Sequence, residues 1–189
     1  MGTVVMVVAA ILLGVAVVYT GKIYNELVQM GVNVTKSWAN IELLEKQRYD
    51  ELPKLVQICN TYMKYEKETL ESVIGARTRY MDAKTPSQFA KADSELSATL
   101  GKLFAVAENY PDLKAEENFS KLQTRITGLE CEIADRREFY NNSVGLYNAR
   151  IKQLPYVFVA GFMGCAEKDM YEVPPEQTKP PELNFAVPK

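Results

Sequence analysis

No histidine occurs anywhere in the 189 residues. That removes the commonest general acid–base and the commonest metal ligand together. Cysteine is scarce too. Cys59, Cys131 and Cys165 are an odd set without C-x-x-C spacing, which excludes a disulfide framework or a zinc site. They read as reduced structural thiols, because free cysteine is readily buried, and as the mark of a reducing compartment. Charge of one sign is missing as well. With 22 basic and 24 acidic side chains the net charge is −2, so nothing provides a broad footprint on phosphate and no nucleic-acid partner is expected. Neither G-x-x-x-x-G-K nor G-x-G-x-x-G is present, and no run alternates as a half-buried strand would.

What is abundant is apolar helix. From Met1 to Gly21, "MGTVVMVVAAILLGVAVVYTG", no side chain carries charge. Coiled as a helix, such a segment is roughly 30 Å long, the thickness of a bilayer's hydrocarbon core. Tyr19 and Lys22 fall where interfacial anchors belong. A cleaved signal peptide is the competing reading, but the charged n-region and an A-x-A-like site before Thr20 are missing. Residues 1–21 are therefore expected to be a retained transmembrane anchor. Lys22 and Lys36 follow the span, which favours a cytoplasmic domain.

Beyond the anchor the period is helical. Ile23, Leu27, Met30, Val34, Trp38 and Ile41 draw a first stripe, which weakens at Glu45 and Arg48. In "RYDELPK", Pro53 lacks a backbone N–H and disfavours a helical Leu52. Asp50 is a plausible N-cap for a second helix. A kink there would make one helix of about 60 residues, roughly 90 Å long. A tight reversal would give helices of matched length and is preferred. A third helix opens at "TPSQ" with Thr85 as cap and Pro86 at its first position, and a fourth follows "NYPD" with Asp112 as cap. The expected architecture is all-α: an N-terminal transmembrane helix, then an antiparallel up-down four-helix bundle over 22–154. Its helices are expected at 22–50, 52–83, 86–108 and 113–153. The tail 171–189, with five prolines from Pro174 to Pro188, reads as extended and disordered.

Chemistry is thin. A di-iron bundle site needs Glu-x-x-His pairs, which cannot be built without histidine. Cys131 has no histidine to activate it. Acidic groups such as Glu66, Glu68 and Glu71 look like solvated faces, and the paired arginines of "GARTRY" and "DRREFY" look like intramolecular ion pairs. No catalytic residue, cofactor or metal is expected. Asn40, Arg48, Asn141, Ser143 and Asn148 fall on or beside the stripes. They read first as a hydrogen-bonded polar layer that fixes register, and second as a partner face.

The stretch "LPYVFVAGFMGCAE" (154–167) is too short for a span of roughly 20 apolar residues. An even number of bundle helices returns the chain to the membrane end. Residues 155–170 are then either a membrane-contact segment, inserting Tyr156, Phe158, Phe162 and Met163, or a cap over the open end of the bundle.

Four blocks in order, "SWANIE" (37–42), "RYDELPKLVQICNTYMKYEKETLESVIGAR" (48–77), "LGKLFAVAENYPDLKAEENFSKLQ" (100–123) and "RREFYNNSVGLYNARIKQLP" (136–155), resemble the LemA family of bacterial membrane-anchored helical proteins. The resemblance implies a single N-terminal span in the bacterial cytoplasmic membrane, an antiparallel four-helix domain and no enzymatic activity. The sequence departs from the family pattern after Pro155, where "PYVF" replaces a Pro-Gly-Asn-like turn. The expected role is a scaffold or protein-interaction module on the bilayer, with a protein partner or a second copy of the chain as its ligand. The alternative is an accessory factor for a membrane enzyme or export system.

Overall fold

The computed structural model describes residues 1–171. Six helices follow one another: α1 (Gly2–Tyr62), α2 (Lys67–Met81), α3 (Pro86–Ala107), α4 (Pro111–Lys114), α5 (Glu117–Lys152) and α6 (Tyr156–Met163). The described residues contain no strand. The expectation of an all-helical chain with an apolar N-terminal helix holds.

The reversal at Pro53 does not occur. Pro53 lies inside α1, which runs unbroken for 61 residues, and the separate helices at 22–50 and 52–83 are corrected accordingly. Asp50 is interior to α1 rather than a cap. The physical reason is visible around the proline. Without its N–H, Pro53 leaves the carbonyl of Tyr49 short of its helical donor. Arg77 Nε supplies a replacement at 3.4 Å. Leu52 and Leu55 on either side are buried, each stabilising the helix by about 1.5–3 kcal/mol, and Pro53 itself faces out. The turn comes instead at residues 63–66, closed by Glu66 N–H donating to Met63 O at 3.0 Å.

The described residues form two compact units: residues 1–43 with 134–170, and residues 44–133 with Tyr171. In the first unit α1 and α5 run antiparallel, as three pairs show. Arg150 meets Glu26 at 3.3 Å, Gly31 approaches the Tyr147 ring, and the Trp38 and Tyr140 rings lie 5.2 Å apart. Ile23, Leu27, Val34, Ile41, Val144 and Ile151 are buried in this unit.

The second unit holds the larger core, built from Leu52, Leu55, Cys59, Val73, Leu96, Leu100, Leu103, Phe119 and Ile126 among others. Its α2 and α3 form a hairpin, with Arg79 bonded to Glu95 at 2.8 Å and Tyr80 against Phe89. As the sequence predicts, Thr85 caps α3 by accepting from Gln88 N–H at 3.2 Å, and Pro86 opens it. The next start differs. Asp112 sits in the short α4, and α5 begins at Glu117, where the Glu116 carboxylate accepts from Phe119 N–H at 2.7 Å.

Past α5 the chain turns through a cis Leu154–Pro155 bond into α6. Gly164, at φ 66°, ends α6 in the left-handed region, where a Cβ would be strained. Residues 165–170 then form a strap. Asn148 bonds both backbone groups of Lys168, at 2.8 and 2.9 Å, and the Tyr140 hydroxyl donates to Asp169 O at 2.8 Å. Tyr171, expected in the disordered tail, is buried. The rest of that tail lies outside the described residues.

Candidate functional site

The residues with chemical potential fall into three places. The first is an ionic cluster in the second unit. Arg48 is 1% exposed. Its Nη2 donates to Glu45 Oε2 at 2.5 Å and to Asp93 Oδ1. Its Nη1 lies 3.7 Å from Glu130 Oε1. Glu45 and Arg48 are one helical turn apart on α1, and Asp93 comes from α3. A guanidinium does not give up its proton in proteins, and here it donates to carboxylates that accept. Its physical effect is to cross-link α1, α3 and α5 at one register.

Neighbouring groups are equally quiet. Burial pushes the Tyr49 and Tyr80 hydroxyls well above the usual phenol value, and the Glu45 carboxylate raises both further. Burial also pushes the Cys59 thiol up to about 11, so it stays protonated at neutral pH and is a poor nucleophile. Cys131, by contrast, is exposed and Cys165 half-buried, and all three are free thiols. The expectation that the cysteines are buried therefore holds for Cys59 and fails for Cys131.

The second place is a groove of about 470 Å³ between the end of α1 and α2. Leu52, Val56, Leu70, Val73 and Ile74 line it, and Gln57, Asn60, Lys67, Glu71 and Arg77 supply its polar groups. Ile74 and Pro53 are exposed there.

The third place is the foot of the first unit, formed by α6. The Tyr156 hydroxyl donates to Glu26 Oε2 at 2.6 Å, and the Arg150 guanidinium lies over the Tyr156 ring at 4.8 Å. Met163 faces inward, lining a hollow with Leu27, Gly31 and Tyr147. Phe158 and Phe162 face out.

The polar residues singled out in the sequence fall in both units. Arg48 belongs to the second unit, and Asn148, on α5, to the first, where it holds the strap at Lys168. Asn40 is exposed. Ser143 bonds back to Phe139 O in its own helix at 2.9 Å, and Asn141 is half-buried. Sequence reasoning missed Glu45, Asp93 and Glu130 as partners of Arg48. A signal existed for the first two. Glu45 and Arg48 continue the phase of Trp38, Ile41 and Leu52, and Asp93 sits in the phase of Phe89, Leu96 and Leu100.

These features define a membrane-associated, all-helical protein with an exposed apolar helical start. The LemA family profile matches residues 37–185, and the chain belongs to the LemA family. Similar proteins include magnetosome protein MamQ 2 of Paramagnetospirillum magneticum, 30% identical over 89 residues, which is 47% of this chain and 33% of that protein. MamQ of Magnetospirillum gryphiswaldense is 28% identical over the same coverage. Protein LemA of Metamycoplasma hominis is 28% identical over 138 residues, 71% of this chain and 61% of that protein. The chain thus spans about a third of the length of its MamQ relatives.

Proposed function

We propose that this protein is a non-enzymatic scaffold or protein-interaction module, held by a single N-terminal span at the bacterial cytoplasmic membrane with its folded part in the cytoplasm. One observation carries the reading. The apolar, exposed start of α1 continues without a linker into packed helix. A span joined in this way holds the first unit at a fixed height above the bilayer, where a flexible linker would let it wander. The second unit supports a four-helix bundle of α1 (from 44), α2, α3 and α5 (to 133), because side chains join α1 to α2, α1 to α5 and α2 to α3. The lack of histidine and the protonated Cys59 support a role without catalysis.

A second reading, an accessory factor for a membrane enzyme or export system, draws on the groove between α1 and α2. Its apolar lining with polar groups at the edge suits an apolar anchor from a partner. A photo-crosslinking amino acid at Ile74, activated in intact membranes, separates the readings. A reproducible adduct with another protein supports the accessory role. Adducts of the chain with itself alone support a self-assembling scaffold. Absence of any protein adduct, with the crosslinker confirmed in place, contradicts both.

A further inference from the structure

We infer that α6 is a second, peripheral membrane contact, with Phe158 and Phe162, and Leu154 of the turn before it, seated in the interface of the same bilayer that residues 1–21 cross; this rests on reading 1–21 as a span. Placement comes first. Glu26 lies five residues beyond Gly21 on α1, about 8 Å along the helix axis at 1.5 Å per residue. That carboxylate accepts from the Tyr156 hydroxyl at 2.6 Å and pairs with Arg150 at 3.3 Å. The start of α6 is therefore held at the level where the span leaves the hydrocarbon, within reach of the headgroup layer. Tyr19 and Tyr24, the aromatic residues of α1 flanking that level, are both exposed, as interfacial anchors are.

Orientation comes second. Leu154 lies in the turn before α6, and Phe158 and Phe162, four residues apart within the helix, share one face. The three are 74%, 72% and 94% exposed. The opposite side of α6 is occupied: Ala160 is buried, Tyr156 is tied to Glu26, and Met163 lines the hollow with Leu27 and Tyr147. The outward face is thus a fixed apolar surface rather than a loose end. Two phenylalanines on a helix of eight residues are costly to leave in water, yet nothing in the first unit covers them. Just beyond α6 the chain turns polar, and Glu167 pairs with Lys152 at 2.8 Å in exposed positions. Exposed aromatic side chains on one face with charge at the margin are the pattern of a helix lying in the interface plane. Such a contact fixes the rotation of the first unit about the span axis, which a single span leaves free.

The test uses the full chain reconstituted in phosphatidylcholine liposomes, with and without brominated acyl chains that quench tryptophan on contact. The wild type carries one tryptophan, Trp38, about 25 Å along α1 from Gly21, and serves as the unquenched reference. Phe162→Trp and Leu13→Trp are each made in a Trp38→Phe background, with helicity checked by circular dichroism. The expected result is strong quenching of Leu13→Trp. Phe162→Trp is expected to be blue-shifted and clearly quenched, consistent with a depth of about 5–10 Å. Quenching of Leu13→Trp with Phe162→Trp as unquenched as the wild type overturns the inference and leaves the span intact. Absence of quenching in both variants removes the span and the α6 contact together.

Discussion

Arg48→Met should destabilise the second unit by about 3–5 kcal/mol, the largest loss expected of any single substitution outside the apolar core. The magnitude follows from what is left behind. Glu45 and Asp93 are as buried as the arginine, and each takes a guanidinium hydrogen bond in the native fold. Removing the guanidinium takes a charged hydrogen bond from each of two carboxylates that lie close together and away from water. Glu130 suffers less because its side chain keeps partial access to solvent. Denaturation of the detergent-solubilised chain, followed by circular dichroism, measures the loss. A triple variant, Glu45→Leu with Arg48→Met and Asp93→Leu, is expected to recover most of it, since an apolar replacement of comparable volume often matches a buried ion cluster. A loss under about 1 kcal/mol for Arg48→Met, the range of exposed pairs, would show that water reaches the cluster and that it does not lock the register of α1, α3 and α5.

The second large effect concerns the membrane. Leu12→Arg combined with Val15→Arg should release the protein from alkaline-washed membranes. Each arginine near the middle of a span costs about 2.5–3.5 kcal/mol, so the pair costs about 5–7 kcal/mol. Both positions are exposed on α1, and the charges disturb no packing in either unit. Far-UV circular dichroism of the released protein should match the wild type apart from the span. Retention of the doubly charged variant in the washed membrane pellet would mean that residues 1–21 are not what holds the chain there.

The helical class was legible in the sequence because the 3.6-residue stripes are long and strong. Thr85 and Pro86 were legible for the same kind of reason, since capping chemistry is local and each residue has one dominant use there. Pro53 was not. Its usual effect, breaking a helix, was offset by a residue 24 positions away in sequence, Arg77, whose guanidinium takes over the Tyr49 carbonyl. No local rule contains that pairing. The actual turn at residues 63–66, "MKYE", holds neither glycine nor proline, so nothing in its composition announced it. The ionic cluster was half legible. Glu45 and Arg48 lie on the apolar phase of α1, which marks them as buried and therefore paired. That Asp93 completes the set depends on the α2–α3 hairpin bringing α3 back to α1. The terminal segment was legible as apolar and too short to span. Which of its side chains face outward depended on the left-handed Gly164, the Tyr156 bond to Glu26 and the Asn148 clasp on Lys168. These divide Tyr156 and Met163, which face inward, from Phe158 and Phe162, which do not.

The proposed placement of the folded part in the cytoplasm, on a single span, is tested most directly by the sidedness of Cys131. This thiol is naturally exposed, whereas Cys59 is buried and its pKa is pushed up to about 11. A membrane-impermeant maleimide, applied to spheroplasts and to inside-out vesicles and read by mass spectrometry, reports which face presents it. The expected result is no modification of Cys131 in intact spheroplasts and complete modification in inside-out vesicles. Modification of Cys131 from outside intact spheroplasts, with none in inside-out vesicles, would contradict it.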